Sequence, residues 1–483
     1  MSEHEPIVSQ ENLVEFEHHR LNAESTPHSA RSNVTSVKTG GIKGAAMSIA
    51  KKLDGAARSA RISTLPARRK TPSFKEHALF QSMQKYRLIG DTVGLVDPFF
   101  KEHEARLGAT TQMDGKTLIN FGSYDYLGLN QAPSVSQAAK DAIDQYGTSV
   151  SASRVVAGER PLHRALESGL AEFYGTQDCV VFVSGHATNV STIGTLMSAG
   201  DLILHDELVH NSALVGAKLS GAATKSFAHN NMESLQRLLV EMRGEYRNVL
   251  IVVEGFYSMD GDMPDLPRLV ELKKRFGAWL MVDEAHSLGV LGKTGRGVAE
   301  HYDVPSTDVD IWMGTLSKTL GSCGGYICGS KELIAILKFQ APGFVYSVGM
   351  PAPAAAAALA ALELLKAEPE RVAKIKANGD LFLKEAKAAG LDTGTSIGYA
   401  VVPVIVGDGI KAIKMTERLL ARGVNALPIM YPAVPMKAAR LRFFITSEHT
   451  PAQIKQAVKI CKEELKVVSS LGGVFKRTPK AQA

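Results

Sequence analysis

The chain has 483 residues, of which 45% are hydrophobic and 22% charged, with a net charge of +6 at neutral pH. That length supports two or three domains around buried cores, and the composition is ordinary for a soluble enzyme. No apolar run approaches the roughly 20 residues of a membrane-spanning helix. The acidic, polar start MSEHEPIVSQENLVEFEHH lacks the apolar stretch of a secretory signal.

Charge is uneven along the chain. Residues 3–24 carry Glu3, Glu5, Glu11, Glu15, Glu17 and Glu24 against Arg20, whereas residues 38–75 carry ten lysines and arginines against Asp54. This is the pattern of a tail and not of a packed core. Within it Ile42, Ala46, Ile49, Ala50, Leu53, Ala57 and Ala60 recur at helical spacing. The spacing predicts a basic amphipathic helix suited to an anionic membrane or an acidic partner, set in an otherwise solvated extension over residues 1–80.

An N-terminal segment follows over 81–140, then a large domain over 141–350. There CVVFV (179–183), DLILH (201–205), VLIVVE (249–254), WLMVDE (279–284) and DIWMG (310–314) read as buried strands. Amphipathic stretches over 162–174, 186–199, 231–243 and 265–276 alternate with them, which predicts a mostly parallel sheet covered by helices. A smaller C-terminal α+β domain is expected over 351–468. It comprises an alanine-rich helix, a long charged helix over 363–389, a strand at AVVPVIV (400–406), a helix over 409–422 and a strand at RLRFFIT (440–446). A basic tail occupies 469–483. Cys179, Cys323, Cys328 and Cys461 have no metal-ligand spacing and read as reduced thiols of a cytoplasmic protein.

Six segments carry chemistry. In MVDEAHSLG an apolar strand ends in Asp283 with His286 three residues on. Ligands of open α/β sheets sit beyond the carboxyl ends of strands, so both side chains project toward a site. A carboxylate there suits a cofactor whose pyridine nitrogen must stay protonated, although a buried structural pair is equally compatible with the motif alone. In GTLSKTLGSCGGY, Lys318 sits among glycines and hydroxyls, with Thr315 and Ser317 able to bond phosphate; a desolvated lysine there can form a Schiff base. VVFVSGHATN places Gly185 and His186 at a strand-to-helix turn whose amides can hold phosphate. His210 follows the strand at 201–205, and Ser258 sits at the tip after the strand at 249–254. Arg440 and Arg442 alternate with apolar residues, and either guanidinium can hold a carboxylate bidentately.

Taken in order, these motifs resemble the α-oxoamine synthase family over about residues 82–468. INFGSYDYLGL (119–129), AHNNMESL (228–235), VEGFYSMDGD (253–262) and VDEAHSLGVLGKTGRG (282–297) have the flavour of its serine palmitoyltransferase branch. The resemblance implies a fold-type-I aminotransferase-like enzyme using pyridoxal 5'-phosphate. Lys318 would carry the cofactor and move the α-proton, Asp283 would pair with the pyridinium nitrogen, and His286 would reach the phenolic oxygen. His210 would stack on the ring face. Gly185, His186, Ser258 and Thr315 would complete the cofactor site, and Arg442, or failing it Arg440, would bind the substrate carboxylate.

The implied reaction is a decarboxylative Claisen condensation of an amino acid, serine in the first instance, with an acyl-CoA. Glycine or alanine with an acyl carrier protein is the alternative. An aminotransferase or decarboxylase of the same fold is a minor option. A non-catalytic partner subunit is the reading from another class, and retention of Lys318, Asp283, His286 and His210 speaks against it. A homodimer is implied, cytoplasmic or peripheral on the inner face of a membrane, with residues 38–75 docking membrane or carrier. Neither a metal nor a nucleic acid is expected.

Overall fold

The computed structural model describes residues 71–470 except Val93. The expected basic amphipathic helix over 42–60 lies outside the described residues, as does nearly all of the basic tail. By its contacts the chain divides into Met1–Met83 and Gln84–Ala483. In the first, the described residues comprise a short turn of 3-10 helix, Phe74–Glu76, capped by Ser73, and the start of a helix spanning Ala78–Thr92. The second contains all the described strands.

A hairpin of β1 (Thr110–Met113) and β2 (Lys116–Asn120) comes first. The large sheet follows: β3 (Asp178–Phe182), β4 (Leu202–Asp206), β5 (Ala223–Phe227), β6 (Val249–Glu254), β7 (Trp279–Asp283), β8 (Ile311–Thr315) and β9 (Gly325–Gly329). Their order across the sheet is β3-β9-β8-β7-β6-β4-β5. The sheet is mostly parallel, as expected. Only β9 runs against its neighbours β3 and β8.

The apolar runs read as strands because both faces of this sheet are covered. Cys179 and Val181, Leu202 and Leu204, Val249, Ile251 and Val253, and Leu280 and Val282 enter one core. Their alternate neighbours Val180 and Phe182, Ile203, Leu250 and Val252, and Met281 enter the other. Side chains of a strand point to opposite faces in turn, so a strand buried on both sides has no polar position to spare. Two strands had no such signal. β5 (ATKSF) is an edge strand with three exposed residues in its middle. β9 (GYICG) is short and ends in glycine at both sides, which reads as a turn.

Past residue 351 the expected charged helix over 363–389 is corrected. The alanine-rich helix runs through Ala352–Ala367 and stops, and a second helix takes Glu370–Ala388. Pro369 stands between them; it has no backbone N–H and disfavours helical geometry in the residue before it. β10 (Val401–Gly407), β11 (Val424–Asn425), β12 (Leu427–Ile429) and β13 (Ala439–Phe444) follow, with β10, β13 and β12 forming a small antiparallel sheet. It packs through Val402, Val404, Leu441 and Phe443 into a further core that also takes Phe121 from just after β2. Tyr126, Leu127 and Leu129, only a few residues on, belong to the core of the large sheet. Residues 121–129 therefore pass from one core to the other.

Among the described residues no helix is long and apolar enough to cross a membrane, and no group of three or more His, Cys, Asp or Glu is placed to hold a metal ion. Leu280 is fully buried in the middle of the sheet. Leu280→Ala should lower stability by about 2–5 kcal/mol, the cost of lost burial plus an unfilled cavity, read from a denaturant titration.

Candidate active site

Connections leaving the carboxyl edge of β3, β4, β6, β7 and β8 surround a cavity of ≈ 370 Å³. Lys318, His210, Asp283, His286, Gly185, His186, Ser258, Thr315 and Arg442 all line it. Arg440 does not. Its guanidinium is bound to Asp260 at 2.6 Å and to the Met259 carbonyl at 2.9 Å. Arg442, two residues along β13, reaches only the Ser258 carbonyl and the Met259 sulfur, each at 3.4 Å, and lies over the Phe444 ring. It has no carboxylate partner among the described residues, and burial lowers its pKa.

Asp283 ends β7, in register with Glu254 of β6 and Met313 of β8. A buried carboxylate must be met by donors. Its Oδ1 accepts the Ala285 amide at 3.0 Å and its Oδ2 accepts the Asn189 side-chain amide at 2.8 Å. The same amide donates to Ser212 Oγ at 2.9 Å. Ser212 Oγ, already accepting, donates its proton to His210 Nδ1 at 2.7 Å. The Ser212 backbone amide also donates to His210 Nδ1, at 3.3 Å, so that nitrogen accepts and His210 carries its own proton on Nε2. This tautomer follows from the donor count.

Glu254 is buried in the cavity wall, and its pKa is raised first by burial and then by the charge of Asp283. Two neighbouring carboxylates do not both ionise readily in such a place. Of the two, Glu254 is the one pushed toward its protonated form, while both oxygens of Asp283 accept hydrogen bonds. His286 is held far below its ordinary pKa by burial and then by Lys318 and Arg442. It stacks on Phe444 with an interplanar angle of 14°.

Lys318 lies in the connection from β8 to β9. Because β9 returns antiparallel, the loop closes on itself: the Leu316 amide donates to the Gly324 carbonyl at 2.9 Å and the Gly321 amide to the Lys318 carbonyl at 3.0 Å. Burial pulls the ammonium from the ordinary 10.5 down to about 8, with Asp283 and Glu254 opposing the shift. Gly185 begins the helix Gly185–Leu196, which starts against β8 and β9. A Cβ on Gly185 would meet Thr315 Oγ1 at 2.9 Å, and one on Gly325 would meet Gly185 Cα at 2.7 Å. Only glycine permits that approach.

The donor set fits pyridoxal phosphate. Lys318 and Asp283 line one cavity and form no ion pair with each other, so both are available to a ligand there. The helix Gly185–Leu196 begins at this cavity, whose lining includes Ser184, Gly185, His186 and Ser317. Helix N-termini favour anions such as phosphate. The Thr315 hydroxyl is already used within its loop, donating to the Gly324 carbonyl at 3.0 Å.

Sequence reasoning gave no role to Asn189, Glu254, Phe444 or Tyr126, whose hydroxyl lies 2.6 Å from His286 Nδ1. Glu254 had the signal that singled out Asp283, a carboxylate ending an apolar run. Asn189 and Tyr126 stood inside quoted motifs, but nothing in a linear sequence gives the distance from residue 126 to residue 286.

In the protein without cofactor, Lys318 should react with an amine-directed acylating reagent with a midpoint near pH 8. A lowered pKa leaves the nucleophilic neutral amine half populated at about 8, whereas exposed lysines follow about 10.4. Peptide mapping across pH reads the two midpoints.

The aminotransferase class I and II family profile matches residues 116–460. An 8-amino-7-oxononanoate synthase of Symbiobacterium thermophilum is 40% identical over 365 residues, covering 76% of this chain and 92% of that protein. The 4-hydroxy-2,2'-bipyrrole-5-methanol synthase PigH of a Serratia species is 39% identical over 80% of this chain and 58% of its own length. Among solved structures, serine palmitoyltransferase from S. paucimobilis superposes with a TM-score of 0.79 at 30% identity, over 83% of this chain and 100% of that one.

Proposed function

This chain belongs to the aminotransferase class I and II family and, within it, to the α-oxoamine synthases, and from that premise we propose that it joins a small α-amino acid to an acyl thioester. It is a pyridoxal-phosphate-dependent C-acyltransferase. A carbon–carbon bond forms between the amino acid's α-carbon and the acyl carbonyl. The carbon–sulfur bond breaks to release the thiol, the α-carboxylate leaves as CO2, and an α-amino ketone remains. Bound pyridoxal phosphate supplies the electron sink for the pair left on the α-carbon.

The observation that carries this reading is the meeting of Lys318, Asp283, His286 and His210 on one cavity, with Arg442 unpaired beside them. Lys318, with its lowered pKa, takes and returns the α-proton near neutral pH. With pyridoxal phosphate bound, Asp283 would hold a proton at its pyridine nitrogen, His286 would serve its phenolic oxygen and His210 would cover its ring. Gly185, His186, Ser258, Ser317 and Thr315 line the remainder of the cofactor site. Arg442 binds the substrate carboxylate, because a buried guanidinium without a counter-ion is stabilised by an anionic ligand. Arg440 is instead a tie to Asp260.

Alanine is the amino acid we place first. The relative at 40% identity is named for a nine-carbon amino ketone whose amine-bearing carbon carries one methyl, the remnant of alanine. Serine, and with it sphingolipid synthesis, is the second reading, supported by the likeness to serine palmitoyltransferase at 30% identity. A homodimer accords with the exposed apolar Val155, Val156, Tyr346 and Val348. They lie on two segments joined where the Gly349 amide meets the Ala152 carbonyl at 2.9 Å. The basic stretch over 38–75 suits an acidic carrier protein or an anionic membrane face.

The purified protein should show the visible absorbance of enzyme-bound pyridoxal phosphate, and Lys318→Ala should lose the covalently bound band. A protein without that band overturns the reading. CO2 release from alanine, serine and glycine, each with CoA and carrier-protein thioesters, ranks the substrates. Arg442→Ala should raise KM for the amino acid about tenfold or more, the loss of a charged hydrogen-bonded contact. Arg440→Ala should act mainly on stability.

A further inference from the structure

Beyond the residues given a role above stands Tyr126, which is fully buried in the core of the large sheet. Its hydroxyl meets His286 Nδ1 at 2.6 Å and makes no other hydrogen bond among the described residues. The residue reaches this point because residues 121–129 pass from the small core to the large one. The backbone there is fixed, since the Tyr126 carbonyl accepts the Ser447 amide at 2.8 Å and the Leu127 carbonyl accepts Arg371 at 3.0 Å.

Two arrangements of the proton are possible between this hydroxyl and the imidazole. If Nδ1–H donated to the phenol oxygen, the phenol's own proton would be buried with no acceptor, which costs about 1–3 kcal/mol. If the phenol donates to Nδ1, the hydroxyl and Nδ1 are both satisfied. Burial raises the Tyr126 pKa far above its ordinary value, so the phenol keeps a proton to donate, and His286 is neutral with one proton to place. With Nδ1 accepting, that proton is on Nε2, the nitrogen left without a protein partner on a ring that lines the cavity.

We propose that Tyr126 is a positioning residue that locks His286 in the Nε2–H tautomer, so that His286 presents a fixed neutral donor to the cavity. Phe444 packs beside both, nearly parallel to the imidazole at 6.2 Å between ring centroids and edge-on to Tyr126 at 6.0 Å. The device repeats at His210, where Ser212 supplies the donating hydroxyl. In His210 and His286 alike, Nδ1 accepts a hydroxyl proton and the ring's own proton is on Nε2. A donor at His286 stabilises an anionic oxygen on the cofactor ring, whereas the opposite tautomer would meet that oxygen with a lone pair. The tautomer stands independently of the proposed function; its use toward a cofactor oxygen rests on that reading.

Nitrogen NMR of the protein without cofactor, with labelled histidine and His286 assigned by comparison with His286→Asn, tests the tautomer directly. The expected spectrum has a hydrogen-bonded, unprotonated Nδ1 and a protonated Nε2 across neutral pH. A protonated Nδ1 in the wild-type protein overturns the proposal without needing any variant. In Tyr126→Phe, the Nδ1 signal should lose its hydrogen-bond shift and the two tautomers should mix, and an unchanged spectrum again overturns it. Titration of the apoprotein with pyridoxal phosphate should then show affinity about five- to tenfold weaker in Tyr126→Phe, the loss of one buried hydrogen bond's worth of orientation. Wild-type affinity in Tyr126→Phe, with a changed tautomer signal, would sink the link to the cofactor. Failure of the wild-type protein to bind pyridoxal phosphate at all would sink the proposed function instead.

Discussion

Asp283 places a negative charge at the end of a strand that is buried on both faces, and much of the site is arranged by what that charge requires. Its two oxygens take donors from Ala285 and Asn189, and Asn189 leads through Ser212 to His210. Glu254 on the neighbouring strand gives up its own charge beside it. A positive ring nitrogen facing Asp283 would complete a pair that the protein alone leaves open. Removing either neighbour of the carboxylate would leave a polar group buried without a partner, which costs more than the hydrogen bond itself contributes.

The geometry of the sheet makes this arrangement possible. β4, β6, β7 and β8 run parallel, so the loops that follow them emerge along one edge. The reversal at β9 then turns the chain back within nine residues, and the closed loop at 316–324 points Lys318 into the space the other connections surround. A crossover helix at that point would carry the lysine away from the edge. The close packing of Gly185 against Gly325 brings a helix N-terminus, an end that favours anions, to the same space.

Arg440 and Arg442 illustrate a limit of pattern reading. They sit two apart on β13 and therefore share a face. Equivalent in sequence, they differ in surroundings: Arg440 meets Asp260, while Arg442 meets an aromatic ring and two weak acceptors. The loop at 255–263 makes the difference, and its course depends on packing against the C-terminal part of the chain, where Ile397 donates its amide to the Gly261 carbonyl. No spacing within ARLRFFIT carries that information.

The sequence by itself determined the large sheet and most of its strands, because a strand covered on both faces must be apolar throughout. It also determined the side chains at the carboxyl ends of those strands, since a charged or hydroxyl-bearing residue that stops an apolar run stands out. β5 and β9 escaped for the converse reason, one being half exposed and the other framed by glycines. The break at Pro369 was visible in principle, yet the helical periodicity on either side of it concealed the boundary. Only the tertiary structure decided which polar groups meet. The Tyr126–His286 contact spans 160 residues, the Asn189–Asp283 contact spans 94, and the choice between two arginines turned on a loop from elsewhere. Hydrogen bonds act over about 3 Å, and a linear sequence records which groups are available but not which of them come within that distance.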